Sequence, residues 1–171
     1  FFSQRWAVLP MANETVDLDA PAHVRATLES IISSLGYKIA SPEDVDAKLK
    51  AEAVTDGGQL GVLKPSQLGV LLDSSYLLYG KIEEYKTVPL GIYHKTAVKV
   101  ALRVVEAKTG KTLWSQTQEV VHESASPPKQ ALVNFAVQLA SRQVNKLTKT
   151  YLKQEVDEVI AKLMAGLPNK P

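Results

Sequence analysis

The sequence predicts an α/β fold in which one mixed β-sheet is flanked by helices. Apolar and polar residues alternate with a period of two between Ser74 and Glu123, a pattern typical of three consecutive antiparallel strands. The first forty residues read instead as strand, helix and strand, a unit that favours parallel pairing of its two strands. A sheet that contains both kinds of pairing is mixed.

The N-terminal unit is delimited by residues that end or begin regular structure. Arg5 to Leu9 is a short buried strand ended by Pro10, and residues 13–15 form the turn at its carboxyl end. Pro21 suits the first turn of the following helix, and Gly36 ends it. Tyr37 to Ala40 is the second strand. The helix buries apolar residues at three- and four-residue spacing: Val24, Leu28, Ile31, Ile32 and Leu35.

Two shorter helices follow before the three-strand segment. Ser41 can cap the first of them and Pro42 fits its first position, while Glu43 and Asp44 favour the positive end of the helix dipole. Residues 55–58 break this helix, and a further short helix begins at residues 64–67. The inward-facing residues of the two helices are Val45, Leu49, Leu68, Leu71 and Leu72.

The three-strand segment has two turns, at residues 88–92 and 108–110, and Gly110 can adopt the left-handed conformation that closes the second. A first turn centred on Leu90 places Ile82 opposite Val98 on an apolar core face. The opposite face then pairs tyrosines with a basic stripe. We predict that this face binds a partner through Tyr79, Tyr85, Lys95, Lys99 and Arg103.

From Ser126 onward the sequence predicts a helix, since no glycine or proline occurs between Pro128 and Gly166. Unbroken, it would be about 55 Å long, longer than the sheet. Either it breaks near residues 148–150, where β-branched residues weaken helix propensity, or its end projects and packs on another subunit. We expect its last part to expose an apolar stripe that contacts a partner, formed by Leu152, Val156, Ile160 and Leu163.

Composition and motifs give no indication of catalysis. The chain of 171 residues has 45% hydrophobic residues and a net charge of +2, too balanced to predict nucleic-acid binding. It has no cysteine, which excludes disulfides, zinc-thiolate sites and cysteine nucleophiles. His94 and His122 share a face only if the second turn has three residues, and even then a third metal ligand is lacking. No serine lies in a nucleophile motif, so we predict no enzyme, no metal and no cofactor.

Four segments carry a resemblance to a known family: Trp6–Pro10 with Asn13, the 35–37 junction, the strand at 75–82, and the hairpin at 106–115 with its Thr-Gly-x-x-Leu-Trp sequence. Together they resemble the bacterial outer-membrane lipoproteins first described from meningococcus, a family similar in fold to the TolB N-terminal domain and to the curli secretion lipoprotein CsgG. The resemblance covers about residues 5–147. We therefore divide the chain into an α/β domain at 1–147 and a C-terminal amphipathic helical extension with a loose tail at 148–171.

The resemblance implies a three-layer α/β domain without catalytic residues. It implies a periplasm-facing protein tethered to the outer membrane by an N-terminal lipid, often self-associating, with a role in envelope transport or assembly. Its partners are then further copies of itself and other envelope proteins. The chain begins with Phe1 rather than methionine and reaches a strand within a few residues, so we expect a targeting segment and tether to precede it.

A second hypothesis comes from the residues alone. Open α/β sheets bind ligands at the carboxyl ends of their strands, where Asn13 and Glu14 lie, so the chain could be a periplasmic module for a glycan or a nucleotide-like group. An uncharacterised hydrolase ranks last, since no nucleophile and base occur in a recognisable setting.

Overall fold

The computed structural model describes residues 4–90, 92–125 and 152–167. Its helices are α1 (Ala20–Ser34), α2 (Pro42–Ala51), α3 (Pro65–Leu71) and α4 (Lys153–Ala165), with a 3-10 helix at Gly57–Val62. Its strands are β1 (Arg5–Val8), β2 (Ala12–Asn13), β3 (Lys38–Ile39), β4 (Tyr76–Leu90), β5 (Tyr93–Glu106) and β6 (Thr112–Ala125). The first part of the long helix predicted from Ser126, residues 126–151, lies outside the described residues.

One mixed sheet organises the described chain, in the strand order β3-β1-β4-β5-β6, with β2 paired to β4. The pairs β1–β3, β1–β4 and β2–β4 are parallel, whereas β4–β5 and β5–β6 are antiparallel. The predicted fold class is therefore confirmed, including the parallel start and the antiparallel meander.

Helices cover both faces of the sheet and enclose two cores. On one face, α1 and α4 pack against the central strands through Val24, Leu28, Val156 and Ile160. On the other face, α2, the 3-10 helix and α3 cover β1 and the start of β4, with Leu49 and Leu68 completely buried. This second layer does not reach the far halves of β4, β5 and β6. On β6, residues 115, 117, 119, 121 and 123 are consequently all exposed.

Several local predictions are confirmed at the level of single residues. The Ser41 hydroxyl accepts a hydrogen bond from the Asp44 N–H at 3.5 Å and caps α2, with Pro42 at its first position. Gly36 ends α1 with φ of 85°, and Gly110 closes the β5–β6 turn with φ of 70°. Both glycines adopt the left-handed conformation that side chains disfavour.

The register of the β4–β5 hairpin differs from the prediction. Leu90 pairs with Tyr93, so the connection is two residues long, and Ile82 lies opposite Val100 rather than Val98. A β-bulge between Ile82 and Glu84 then shifts the pairing by one residue toward the hairpin end. A bulge reverses the faces of all residues beyond it, because side chains alternate strictly along a strand.

Candidate functional site

The predicted basic stripe lies along β5 on the open half of the sheet. Lys95, Lys99 and Arg103 share this face, and Arg103 pairs in register with Tyr79 of β4. The Arg103 guanidinium carbon is 4.4 Å from the centroid of the Tyr79 ring, which is a cation–π contact. Burial raises the pKa of the Tyr79 hydroxyl, and the neighbouring Arg103 opposes that rise. Four of the five residues predicted on this face are thus together.

Carboxylates flank the basic stripe on both sides. Glu83 is 3.0 Å from Lys99 Nζ and 3.2 Å from Lys81 Nζ, and hydrogen bonds from these two lysines lower its pKa. On β6, Glu119 and Glu123 lie opposite Lys99 and Lys95. Acidic and basic side chains are therefore interspersed on this face, which suits a partner of mixed charge better than a polyanion.

Tyr85 does not belong to this face, and its predicted placement is wrong. The bulge turns it to the core side, opposite Val98, where it is only 4% exposed. Its hydroxyl is 2.7 Å from His23 Nδ1 on α1. Burial lowers the pKa of His23, because the imidazolium ion is poorly solvated there. Tyr85 thus joins β4 to α1 inside the protein.

The C-terminal apolar stripe was expected to be exposed, and this expectation is also wrong. Val156, Ile160 and Leu163 of α4 are fully buried and Leu152 is nearly so, in the same core as α1 and the sheet. The sequence pattern defined an apolar helix face correctly but could not tell whether sheet or partner covers it.

A polar cluster fixes the first turn of α4 on the sheet. Glu155 accepts a hydrogen bond from the Thr96 hydroxyl at 2.8 Å and lies 3.3 Å from His122 Nδ1. The other ring nitrogen of His122 is 3.0 Å from Glu158. His94 shares this face diagonally with His122, since His94 pairs with Ser124 and His122 with Thr96. In the described part of the chain, no cluster of three or more potential metal ligands occurs.

The predicted ligand residues lie beside a cleft of ≈ 920 Å³ at the carboxyl end of β1. Asn13 Oδ1 accepts hydrogen bonds from the backbone N–H and the hydroxyl of Thr15, and its amide donates to the Asp17 carbonyl. The Glu14 carboxylate is 3.2 Å from Lys81 Nζ. Both side chains therefore already have partners within the chain, and Asn13 shapes the loop that borders the cleft.

Arg25 is one of the charged residues that line this cleft, and sequence analysis missed it. Its guanidinium donates to the Val8 carbonyl at 2.9 Å and to Asp46 at 2.6 Å, and its Nε is 2.9 Å from Glu29. Burial raises the pKa of Glu29, although Arg25 opposes the rise. Arg25 thereby joins α1, α2 and β1. Only the i,i+4 spacing of Arg25 and Glu29 was visible in the sequence.

The cleft lies at the topological switch point of the sheet, where successive connections run to opposite sides of β1. From β1 the chain crosses one face of the sheet through α1 and forms β3, which pairs with one edge of β1. It then crosses the opposite face through α2 and α3 and forms β4, which pairs with the other edge of β1. The helices therefore diverge above the end of β1. The space between them is the usual ligand position of such sheets.

Sequence comparison relates the chain to lipoproteins. A profile of the GNA1162-like lipoproteins matches residues 4–165. The lipoprotein NMB1124/NMB1162 of Neisseria meningitidis serogroup B is 25% identical over 142 residues, which are 82% of this chain and 66% of that protein. The chain thus spans just under two thirds of this relative's length.

Structural comparison finds a similar fold in three proteins of known structure. The crystal structure of lipoprotein GNA1162 from Neisseria meningitidis has a TM-score of 0.66 at 23% identity, covering 84% of this chain and 99% of that one. The PelC dodecamer from Paraburkholderia phytofirmans gives 0.58 at 16%, covering 98% and 89%. The LpoB C-terminal domain from Salmonella enterica gives 0.51 at 16%, covering 68% and 82%.

Proposed function

Because the chain belongs to the GNA1162-like lipoprotein family, we propose that it is a non-catalytic, self-associating domain that serves a cell-envelope transport or assembly complex. It faces the periplasm and is held at the outer membrane by an N-terminal lipid. Its partners are further copies of itself and other envelope proteins. The observation that carries self-association is the match of nearly the whole chain to a PelC protomer, whose structure is a dodecamer.

The open half of the sheet is the contact surface that we assign to this association. It carries Lys95, Lys99 and Arg103, and Tyr79 lies at its border, where the tyrosine also packs against the core under the second helical layer. Acidic and basic residues are interspersed on this surface, so two copies can place opposite charges against each other across a shared interface. Tyr79 and Arg103 form a cation–π pair there, and Tyr and Arg are among the side chains that most often dominate interfaces.

Light scattering over a concentration series tests this proposal directly. We expect a defined oligomer, and we expect Arg103→Glu to shift it toward smaller species, because the substitution removes the cation–π contact with Tyr79 and reverses the charge at one position of the basic stripe. Lys111→Glu is the matched control, since Lys111 is exposed in the β5–β6 turn outside this face. A monomer at every concentration contradicts self-association, whereas an oligomer that tolerates Arg103→Glu excludes only this face.

A ligand-binding module remains the second candidate, supported by the cleft at the carboxyl end of β1. The group bound would be a glycan or a nucleotide-like molecule. Thermal unfolding in the presence of nucleotides, sugars and cell-wall fragments tests it, since a ligand that binds only the folded state raises the Tm. A genuine cleft ligand must lose its effect in Lys50→Glu, which changes the cleft wall, and keep it in Lys111→Glu. No shift across the whole panel would count against this function.

A further inference from the structure

The β4–β5 hairpin ends in a group of exposed apolar side chains, Leu90, Ile92 and Tyr93, which we call the hairpin tip. They are 54%, 41% and 53% exposed. Single exposed apolar residues are ordinary in folded proteins, whereas three within four positions at one extremity indicate a contact. At the other described positions, large exposed hydrophobic residues occur as one pair, Val16 and Leu18, or alone, at Leu35, Val62, Val70 and Val121.

The hairpin tip lies beyond the helix that covers this part of the sheet. Glu155, in the first turn of α4, contacts the sheet at Thr96 and His122. Three further residue pairs continue from there to the Leu90–Tyr93 pair. At about 3.3 Å per residue, the hairpin therefore extends roughly 10 Å past this contact. A flat surface can reach the tip without touching α4.

The chemistry of the tip matches a bilayer surface. The ten residues from Lys86 to Lys95 contain two lysines, a histidine and a tyrosine but no acidic residue. Lys86 is 3.3 Å from Glu84 and Lys95 lies opposite Glu123, so both lysines already have acidic neighbours. We propose that the hairpin tip inserts into the headgroup region of a phospholipid bilayer, with its apolar side chains carrying the binding. Because the charges are balanced, zwitterionic lipids suffice.

The backbone of the tip allows shallow insertion and disfavours a partner strand. The hairpin is paired as far as Leu90 and Tyr93, so its inner backbone groups are already hydrogen-bonded. The outer-edge groups of β4 need water, which the headgroup region supplies and the hydrocarbon core does not. Pro89 has no N–H to offer an added strand, a common protection of exposed strand edges. This inference rests on membership of a lipoprotein family and does not require self-association.

Site-specific fluorescence can test the insertion, because the chain contains no cysteine of its own. Ile92→Cys and, as a control, Val62→Cys are each labelled with an environment-sensitive dye and mixed with phosphatidylcholine vesicles. Val62 is also exposed but lies at the end of the 3-10 helix. We expect a blue shift at position 92 only. Equal responses at both positions, or none at position 92 at saturating lipid, would overturn the proposal.

Vesicle flotation of unlabelled protein gives the energetic test. We expect Leu90→Asp/Ile92→Asp to reduce partitioning at least about tenfold, since two half-exposed apolar side chains lose their lipid contacts. The control Val62→Asp/Val70→Asp should bind as the parent does. Vesicles with added phosphatidylglycerol should bind the protein about as well as phosphatidylcholine vesicles do. Urea unfolding confirms that both variants fold, and light scattering without lipid completes the test: a tip variant that changes the protein's mass identifies a contact between copies and overturns the membrane assignment.

Discussion

Substitution of Ile160 by alanine tests whether α4 is part of the core. Ile160 has 0% of its surface exposed and lies among α1, β4, β5 and β6 residues. Three carbons are removed, and at about 0.8 kcal/mol each their transfer contributes roughly 2.4 kcal/mol. A partly collapsed cavity adds to this loss, whereas alanine's higher helix propensity recovers a few tenths of a kcal/mol. We therefore expect the free energy of unfolding to fall by ~3 kcal/mol.

Urea denaturation at one fixed protein concentration measures this change, because any self-association would otherwise shift the midpoint by mass action. A domain of this kind has ~5–15 kcal/mol of stability, so a loss of ~3 kcal/mol is readily seen. Val70→Ala is the matched control: Val70 is 85% exposed on α3, and its change should stay within ~0.5 kcal/mol. A loss below ~0.5 kcal/mol for Ile160→Ala would refute the packing of α4 on the sheet.

Further predictions concern a tight backbone approach and a half-buried histidine. Gly57→Ala should destabilise the fold by ~1–3 kcal/mol in urea denaturation, because a Cβ there would lie 2.2 Å from the Ala12 nitrogen, whereas Gly61→Ala meets no atom within 4 Å and should be tolerated. The lowered pKa of His23 means that its contribution to stability is complete above the unfolded-state pKa of about 6.5 and is lost as the pH falls through the folded-state pKa. Between pH ~7.5 and ~5 the protein should therefore lose more stability than its His23→Gln variant; parallel pH profiles would show that this histidine titrates alike in both states. Tyr85→Phe should cost ~0.5–1.5 kcal/mol in the same denaturation assay, since His23 loses its hydroxyl partner, and an unchanged midpoint would contradict that contact.

Features controlled by neighbours in the chain could be predicted from the sequence. The proline and serine that begin α2, and the glycines that end α1 and close the β5–β6 turn, act through their own backbone conformation or an adjacent N–H. Period-two alternation located all three long strands, because each lies over one covered face. The membership of a lipoprotein family was likewise visible in short local segments.

The basic stripe and Tyr79 were also placed together correctly from alternation alone. Before the bulge, the observed pairing of β4 with β5 differs from the predicted pairing by two residues. Because two is an even number, each side chain there stays on its predicted face. The charge balance of that stripe was not foreseen, because Glu119 and Glu123 come from β6, far away in sequence. Alternation assigns a face but does not identify neighbours across it.

Local pattern was thus enough to predict the long strands, the helices before them, the mixed sheet and the family. Other features depend on contacts between distant segments. A single extra residue at the Ile82–Glu84 bulge moved Tyr85 from the open face into the core, and no local pattern specifies where a bulge falls. Likewise, an apolar helix face must be buried, but whether the sheet or a partner covers α4 depends on packing among segments far apart in the chain.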